Sequence, residues 1–319
     1  MLPAPVSRSR PGLAQLAVGG LLLAALAAAP AFLGEYPLQV LFRFAIALVL
    51  AEAWNLLAGT VGLVSLGTSC AFGVGGYVFV GLLEYAHVPD GAALLGAAAA
   101  GALLAALSAP GLLRLRGLYF TVGTLALAEV LRLLMVNVER FGGATGLFLS
   151  GDTPRPASLL RIAACVLAAT WIVGYGVRAT RASVLLRGVR DDEDVAAQFG
   201  VNTFGVKLAA FAIACALAAA AGAVQAWKLG AIEPYGMFAL RWSIDALIIV
   251  ILGGLGQPAG PFIGAVLVVA SSELFVDYPR VHLALTGLLL IVMMRFAPRG
   301  LAGLIGDLTR RIRARESLS

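Results

Sequence analysis

Long apolar runs separated by short polar stretches dominate the chain. A helix needs roughly 20 apolar residues to cross about 30 Å of hydrocarbon at about 1.5 Å per residue. Several short or glycine-rich runs predict broken or re-entrant helices instead of simple crossings. The pattern as a whole predicts an all-α, polytopic transmembrane helical bundle that forms a single domain over 1–319. The predicted segments, about ten in number, are 13–33, 38–58, 62–85, 91–109, 118–138, 159–177, 204–227, 243–255, 258–275 and 281–296.

Composition supports a membrane protein and argues against several kinds of chemistry. Hydrophobic residues make up 61% of the chain and charged residues only 13%, whereas soluble domains carry about 25% charged residues. Cys70, Cys165 and Cys215 each lie in an apolar run without a CxxC pair, so we interpret them as small hydrophobic residues. Neither lysine belongs to a GxxxxGK[ST] loop, and no HExxH is present. We therefore predict that the chain is not an enzyme and has no ATP site, metal or cofactor of its own.

The basic residues predict how the chain is oriented. An even number of segments places both termini on one side, and 15 of the 23 lysines and arginines fall on that side. Six fall on the other side, and two lie within segments. The positive-inside rule then places both termini in the cytoplasm, together with a loop at 178–207 and a basic tail at 298–319. Such charges indicate topology and anionic lipid instead of a nucleic-acid partner.

The first apolar run has two possible interpretations. It follows a short basic lead at 1–12 and contains small alanines, as a signal peptide would. The run at 13–33 is longer than the usual signal core of about 7–15 residues, which favours a retained span.

A polar island at 187–207 interrupts the apolar pattern. Four acids at 191–194 precede a short helical phrase at 195–199, and Gly200 stands where a helix would end. Asn202 and Thr203 can cap the helix that follows. We expect one short surface helix here, between two spans; an ordinary solvated loop is the alternative.

Charged residues within the predicted spans are candidates for function because burying a charge in a membrane is costly. Glu129 and Arg132 are three residues apart on one helix, so they can pair and simply stabilise the bundle. Glu52 lies deep in its span; it can line a path, or bond to backbone freed by the glycine-rich segment that follows. Glu52 and Glu129 are therefore candidate translocation-path residues.

Two glycine clusters lie in separate halves of the chain. Small residues let helices approach closely, and they also permit unwound backbone that can bind a polar ligand. Ser65 and Thr68 lie within the first cluster and are candidate path residues for that reason. The clusters comprise Gly59, Gly62, Gly67, Gly73, Gly75 and Gly76, and Gly253, Gly254, Gly256, Gly260 and Gly264.

Several phrases together resemble the permease subunits of branched-chain amino acid ABC transporters of the LivM-like type. They occur in that family's order and cover most of the chain. The phrase FGGATGL departs from the pattern, since Ala-Thr follows the two glycines where Pro-Asn or Thr-Asn is common. Because related permeases import urea or short amides, those substrates are an alternative. The phrases lie at 51–77, 113–134, 141–147, 206–223, 249–265 and 293–304.

The resemblance implies an inner-membrane permease of an ATP-driven importer for branched-chain or other small apolar amino acids. It implies a second homologous permease, two cytoplasmic ATP-binding subunits and an extracytoplasmic substrate-binding protein as partners. It also implies that the phrase E-x-x-A-x-x-x-G docks on the ATPase as a coupling helix, here with Glu193, Ala196 and Gly200. Ala197 would permit close docking, and Phe199 would supply an apolar anchor. A proton-coupled secondary transporter and a purely structural membrane subunit are alternatives from other classes.

Overall fold

The computed structural model describes residues 13–151, 153–296 and 300–304. The basic lead at 1–12 lies outside these residues, as does the basic tail at 298–319 except for 300–304. The regular secondary structure of the described chain is helical apart from one two-residue strand pair, β1 (Leu147–Phe148) with β2 (Ala231–Ile232), which pairs antiparallel.

Thirteen α-helices follow one another in the described chain. In order they are α1 (Leu13–Ala28), α2 (Glu35–Val61), α3 (Thr68–Ala86), α4 (Asp90–Leu112), α5 (Leu118–Asn137), α6 (Pro156–Ala179), α7 (Ala182–Asp191), α8 (Glu193–Gln198), α9 (Thr203–Leu229), α10 (Pro234–Met237), α11 (Arg241–Gly253), α12 (Gly260–Leu274) and α13 (Pro279–Phe296).

Seven helical segments in the described chain are long and apolar enough to cross a membrane. They are α2 to α6, α9, and the segment Pro234–Gly253 that contains α10 and α11. Three further apolar helical segments are shorter, Gly19–Ala31, Gly260–Leu274 and Ala284–Met293. The all-α polytopic fold is confirmed, whereas the count of about ten crossings stays a prediction.

The glycine-rich third segment is broken, as its composition indicated. The sequence placed a span from residue 62, but α3 begins only at Thr68, and residues 62–67 are not helical. The first run also departs from prediction, since α1 ends at Ala28 and a single 3-10 turn with Pro30 follows. Proline lacks the N–H that continued helix would need, which explains that early end.

Helix α2 is the centre of the bundle, and α6, α9, α11 and α12 pack around it. In its most apolar window, 78% of the residues are buried. A helix that is apolar on most of its surface is expected at such a central position.

Helix α9 is alanine-rich and forms very close contacts with α3 and α4. A Cβ added at Gly222 would lie 1.9 Å from the Phe72 carbonyl oxygen, and one at Gly75 would lie 2.0 Å from the Ala219 carbonyl oxygen. Helices in lipid associate by close packing of small residues, since lipid tails are as apolar as leucine. The glycines on these surfaces therefore determine how the bundle packs.

The two glycine clusters meet at one end of α2. A Cβ on Gly59 would lie 2.8 Å from the Gly256 backbone. The Asn55 Oδ1 atom accepts a hydrogen bond of 2.8 Å from the Gly256 N–H. Most cluster glycines are thus explained by close packing.

Candidate functional site

Helix α8 is built by local signals that the sequence carries. The Asp192 carboxylate caps it by accepting from the Asp194 and Val195 amides, each at 3.0 Å. Gly200 ends it with a left-handed φ of +80°, and glycine adopts that conformation without strain. Asn202 then caps α9 by accepting from the Gly205 amide at 3.0 Å. The predicted helix, its stop at Gly200 and the cap at Asn202 are all confirmed.

Ion pairs hold α8 against the bundle. Glu193 pairs with Lys207, a lysine that is only 4% exposed. Asp194 forms a bidentate pair with Arg116 in the α4–α5 loop, at 2.8 and 3.1 Å. The Arg116 guanidinium lowers the pKa of the Asp194 carboxyl through this hydrogen-bonded contact. The start of α8 is therefore tied to two different parts of the fold.

The side chains of α8 divide between an inner and an outer face. The structure separates the two alanines, since Ala196 is buried at 7% exposure whereas Ala197 is exposed. Phe199 is 84% exposed, and Val195 is 45% exposed. Ala196 thus seats the helix on its own chain, and the other three side chains form an outward-facing surface that we call the α8 surface.

The sequence predicted one helix in this island, but the structure has two. Helix α7 precedes α8, with Leu186 and Val189 buried. The spacing of these apolar residues is typical of an amphipathic helix. The arginines among them made the segment look like a polar loop. Arg190 at its end donates a 2.6 Å hydrogen bond to the Gly59 carbonyl in the last turn of α2. Helix α7 therefore links α8 to the end of the central helix.

The non-helical segment 62–67 runs back along α2. Trp54, seven residues before the end of α2, donates a 2.8 Å hydrogen bond to the Ser65 carbonyl. Seven helical residues span roughly 10 Å, so α3 begins well inside the bundle. Gly62 starts this segment with a φ of +81°.

Side chains satisfy much of the backbone in this segment. The Leu66 amide donates to Thr124 Oγ1 at 3.1 Å, and its carbonyl accepts from Ser243 Oγ at 2.8 Å. The same Ser243 oxygen accepts from the Ser69 amide at 2.8 Å. Non-helical backbone at membrane depth requires such partners, since lipid offers none.

We expect Ser243→Ala to destabilise the protein because it leaves the Leu66 carbonyl and the Ser69 amide without this partner. An unsatisfied buried group costs roughly 1–3 kcal/mol. Thermal unfolding of the purified protein measures the effect. Ser272→Ala is the matched control, since among the described residues its hydroxyl bonds within its own helix, to the Val269 carbonyl. Equal melting temperatures for the two variants would contradict this assignment.

The candidate path residues Ser65 and Thr68 lie at this break, 3% and 9% exposed. They border a cavity of about 10 Å³, whereas a water molecule needs about 10–15 Å³. This cavity has no room for a solute in the conformation described.

Glu52 faces α6 and not the break. Its carboxylate accepts from Arg178 and from the Trp171 indole, each at 3.2 Å. The interpretation that it bonds to backbone freed by the glycine-rich segment is wrong. The partners lie more than 100 residues away in sequence, so spacing gave no signal for them.

Glu129 and Arg132 pair with each other, as their spacing predicted. The Arg132 guanidinium also lies over the Tyr235 ring, 4.7 Å from its centroid. Both charged residues line a cavity of about 380 Å³ between α5, the start of α3 and the segment that joins α10 to α11. The sequence predicted neither α10 nor the position of Ser69 at this cavity, which it also lines.

Comparison with known proteins gives consistent matches. The family described as branched-chain amino acid transport system / permease component matches residues 36–297. The high-affinity branched-chain amino acid transport system permease protein LivM of Salmonella typhimurium is 29% identical over 292 residues, covering 80% of this chain and 67% of LivM. LivM of Escherichia coli is 28% identical with the same coverage. LivH of Salmonella typhimurium is 30% identical over 132 residues, 40% of this chain and 41% of LivH. No solved structure matches the chain.

Proposed function

Since the chain belongs to the family of permease components of branched-chain amino acid transport systems, we propose that it forms part of the translocation path of an ATP-driven importer. Its substrates are branched-chain amino acids. Its partners are a second homologous permease, two cytoplasmic ATP-binding subunits and an extracytoplasmic substrate-binding protein. The chain is one permease domain in the inner membrane with both termini cytoplasmic; 178–207 forms its coupling loop and 298–319 its basic tail.

The α8 surface is the observation that carries this proposal. A six-residue helix, which Arg187 and Arg190 precede and Lys207 follows in the sequence, presents Val195, Ala197 and Phe199 to the outside. An exposed phenylalanine beside a small residue suits a partner groove, where aromatic side chains contribute strongly to binding. The capping at Asp192 and Gly200 holds this helix in shape before any partner binds.

The contacts of α8 also supply a route for force. Movement of the ATPase pair would push on α8, and Glu193 and Asp194 would pass that motion to Lys207 and Arg116. Arg190 would pass it to the end of α2, next to the break at 62–67. A short helix that is tied at several points moves with the bundle as a rigid body.

We expect Phe199→Asp to remove the ATP-binding subunits from the chain when it is purified from its native membranes in mild detergent. Phe199 is 84% exposed, so replacing it should change the stability of the chain itself little. An aspartate buried in the interface with a partner would weaken binding strongly. Mass spectrometry identifies a P-loop ATPase in the eluate, and ATP hydrolysis measures its amount.

Phe148→Asp is the matched control, since Phe148 is 68% exposed on the strand pair, away from α8. Loss of the ATPase in Phe199→Asp alone supports the proposal. Retention in both variants would contradict docking at α8. If the native chain brings no ATPase at all, the importer fails as a function, and a proton-coupled transporter becomes the better account.

A further inference from the structure

The Ser69 side chain is buried without a hydrogen-bond partner. Ser69 is fully buried, and its Oγ atom has no partner among the residues that the structure describes. Its backbone amide is already bonded to Ser243, so the side-chain hydroxyl is the group left over. Buried hydroxyls in native proteins almost always have a partner, which makes this one a candidate contact for something that enters the protein.

The hydroxyl borders a cavity that is large enough for a small solute. The cavity volume is about 380 Å³, within the range of about 300–1,000 Å³ that ligand sites occupy. Much of its lining is apolar, with Leu125, Ala128, Phe238 and Leu240. Side chains of this kind suit an aliphatic group but leave a polar head without partners.

Two opposite charges stand at the same cavity. Arg132 gives its Nε and Nη2 atoms to the Glu129 carboxylate, but a guanidinium has five N–H donors. A carboxylate likewise accepts more than the bonds this pair uses. Arg132 can therefore also bind a negative group of a ligand, and Glu129 can also bind a positive group of the same ligand.

The first turn of α3 adds a partial positive charge at this place. Helix α3 is 19 residues long, and Ser69 is its second residue. The Ser69, Cys70 and Ala71 amides are already bonded to Ser243 and Gly67, so the contribution here is the helix dipole, whose positive end favours an anion. The buried serine, the arginine and the helix start thus all favour negative charge, and Glu129 favours positive charge beside it.

We propose that this cavity binds the zwitterionic head group of an α-amino acid. The carboxylate is held by Arg132 and the Ser69 hydroxyl at the start of α3, and the ammonium group is held by Glu129. The aliphatic side chain lies against Leu125 and Phe238. This assignment rests on the proposed function and deepens it. A neutral urea or amide has no use for the paired charges, which favours an amino acid over those substrates.

The test is leucine binding to the purified permease–ATPase complex in lipid nanodiscs. The substrate-binding protein is omitted so that its own specificity does not enter. Radiolabelled L-leucine competes with L-leucinamide, which lacks the carboxylate, and with 4-methylpentanoate, which lacks the ammonium group. We expect Ser69→Ala to raise the apparent Kd for leucine roughly tenfold, the effect of losing a hydrogen bond to a charged group.

Two further variants assign the ends of the ligand. Arg132→Gln should abolish the preference for leucine over leucinamide, and Glu129→Gln should abolish the preference over 4-methylpentanoate. Arg43→Gln is the matched control, since it breaks another ion pair of the same bundle, with Glu273 at 2.6 Å. Size-exclusion profiles like that of the native complex establish that each variant is folded.

The outcomes separate this site from the proposed function. If the native complex binds leucine and all three cavity variants bind it equally well and with the same selectivity, the proposed site is overturned but the proposed function is not. If the native complex transports leucine but shows no direct binding, the maximal uptake rate becomes the readout. A tenfold fall in Arg132→Gln and Glu129→Gln but not in Arg43→Gln would then support the site, and unchanged rates would overturn it. Absence of leucine uptake by the native complex with its binding protein would overturn the proposed function, and the site with it.

Discussion

Replacing Gly222 by alanine is expected to disrupt the contact between α3 and α9. The added Cβ would lie 1.9 Å from the Phe72 carbonyl oxygen, a backbone atom that no rotamer change can move away. The two helices would have to separate, and Gly75, which packs against α9 in the same contact, would lose its neighbour. Overpacking a well-packed core costs about 1–3 kcal/mol, and we expect the upper end of that range.

Gly174→Ala in α6 is the matched control for this substitution. Both glycines are helical and buried, but a Cβ at Gly174 meets nothing within 4 Å. Alanine has the higher helix propensity by about 1 kcal/mol, so the control should be neutral or stabilising. Thermal unfolding followed by size-exclusion chromatography compares the two. Equal melting temperatures would show that α3 and α9 do not lie as close as described.

The sequence predicted features that depend on neighbours along the chain. The spans follow from the length of apolar runs, and α8 follows from Asp192, Gly200 and Asn202, whose effects extend over one turn. Glu129 and Arg132 were expected to pair because three residues on a helix place them side by side. Each of these signals lies within a few residues of the structure it determines.

Features that depend on distant contacts could not be predicted. Glycine composition indicated a break near residue 62, but the start of α3 at Thr68 depends on Ser243, 174 residues away from Ser69. Glu52 was recognised as costly, yet its partners on α6 lie too far along the chain for spacing to reveal. The cavity beside Ser69 exists only because α5 and the segment after α10 meet there.

The salt bridge between Lys207 and Glu193 should be the most sensitive point of the coupling loop. Lys207 is 4% exposed at the start of α9, and its ammonium pairs with a carboxylate in the first turn of α8. Removing one partner of a buried ion pair costs about 3–5 kcal/mol because the other charge stays buried and unpaired. We therefore expect Glu193→Gln to release α8 from the bundle.

The partner substitution should be milder, and this asymmetry is the test. In Lys207→Met the buried charge is gone, and the remaining Glu193 carboxylate is 27% exposed and reaches water. The double variant should resemble Lys207→Met, since the buried Lys207 charge is absent from both. Hydrogen exchange of the α8 amides measures release directly, and a cost of about 3 kcal/mol corresponds to exchange roughly 100-fold faster. Asp194→Asn, which breaks only the exposed pair with Arg116, should leave exchange nearly unchanged.

ATPase retention should follow the same order, lost in Glu193→Gln and largely kept in Lys207→Met. Equal exchange in the two single variants would mean that burial of Lys207 does not hold α8 in place, and force from an ATPase would then have to reach the bundle through Arg116 and Arg190.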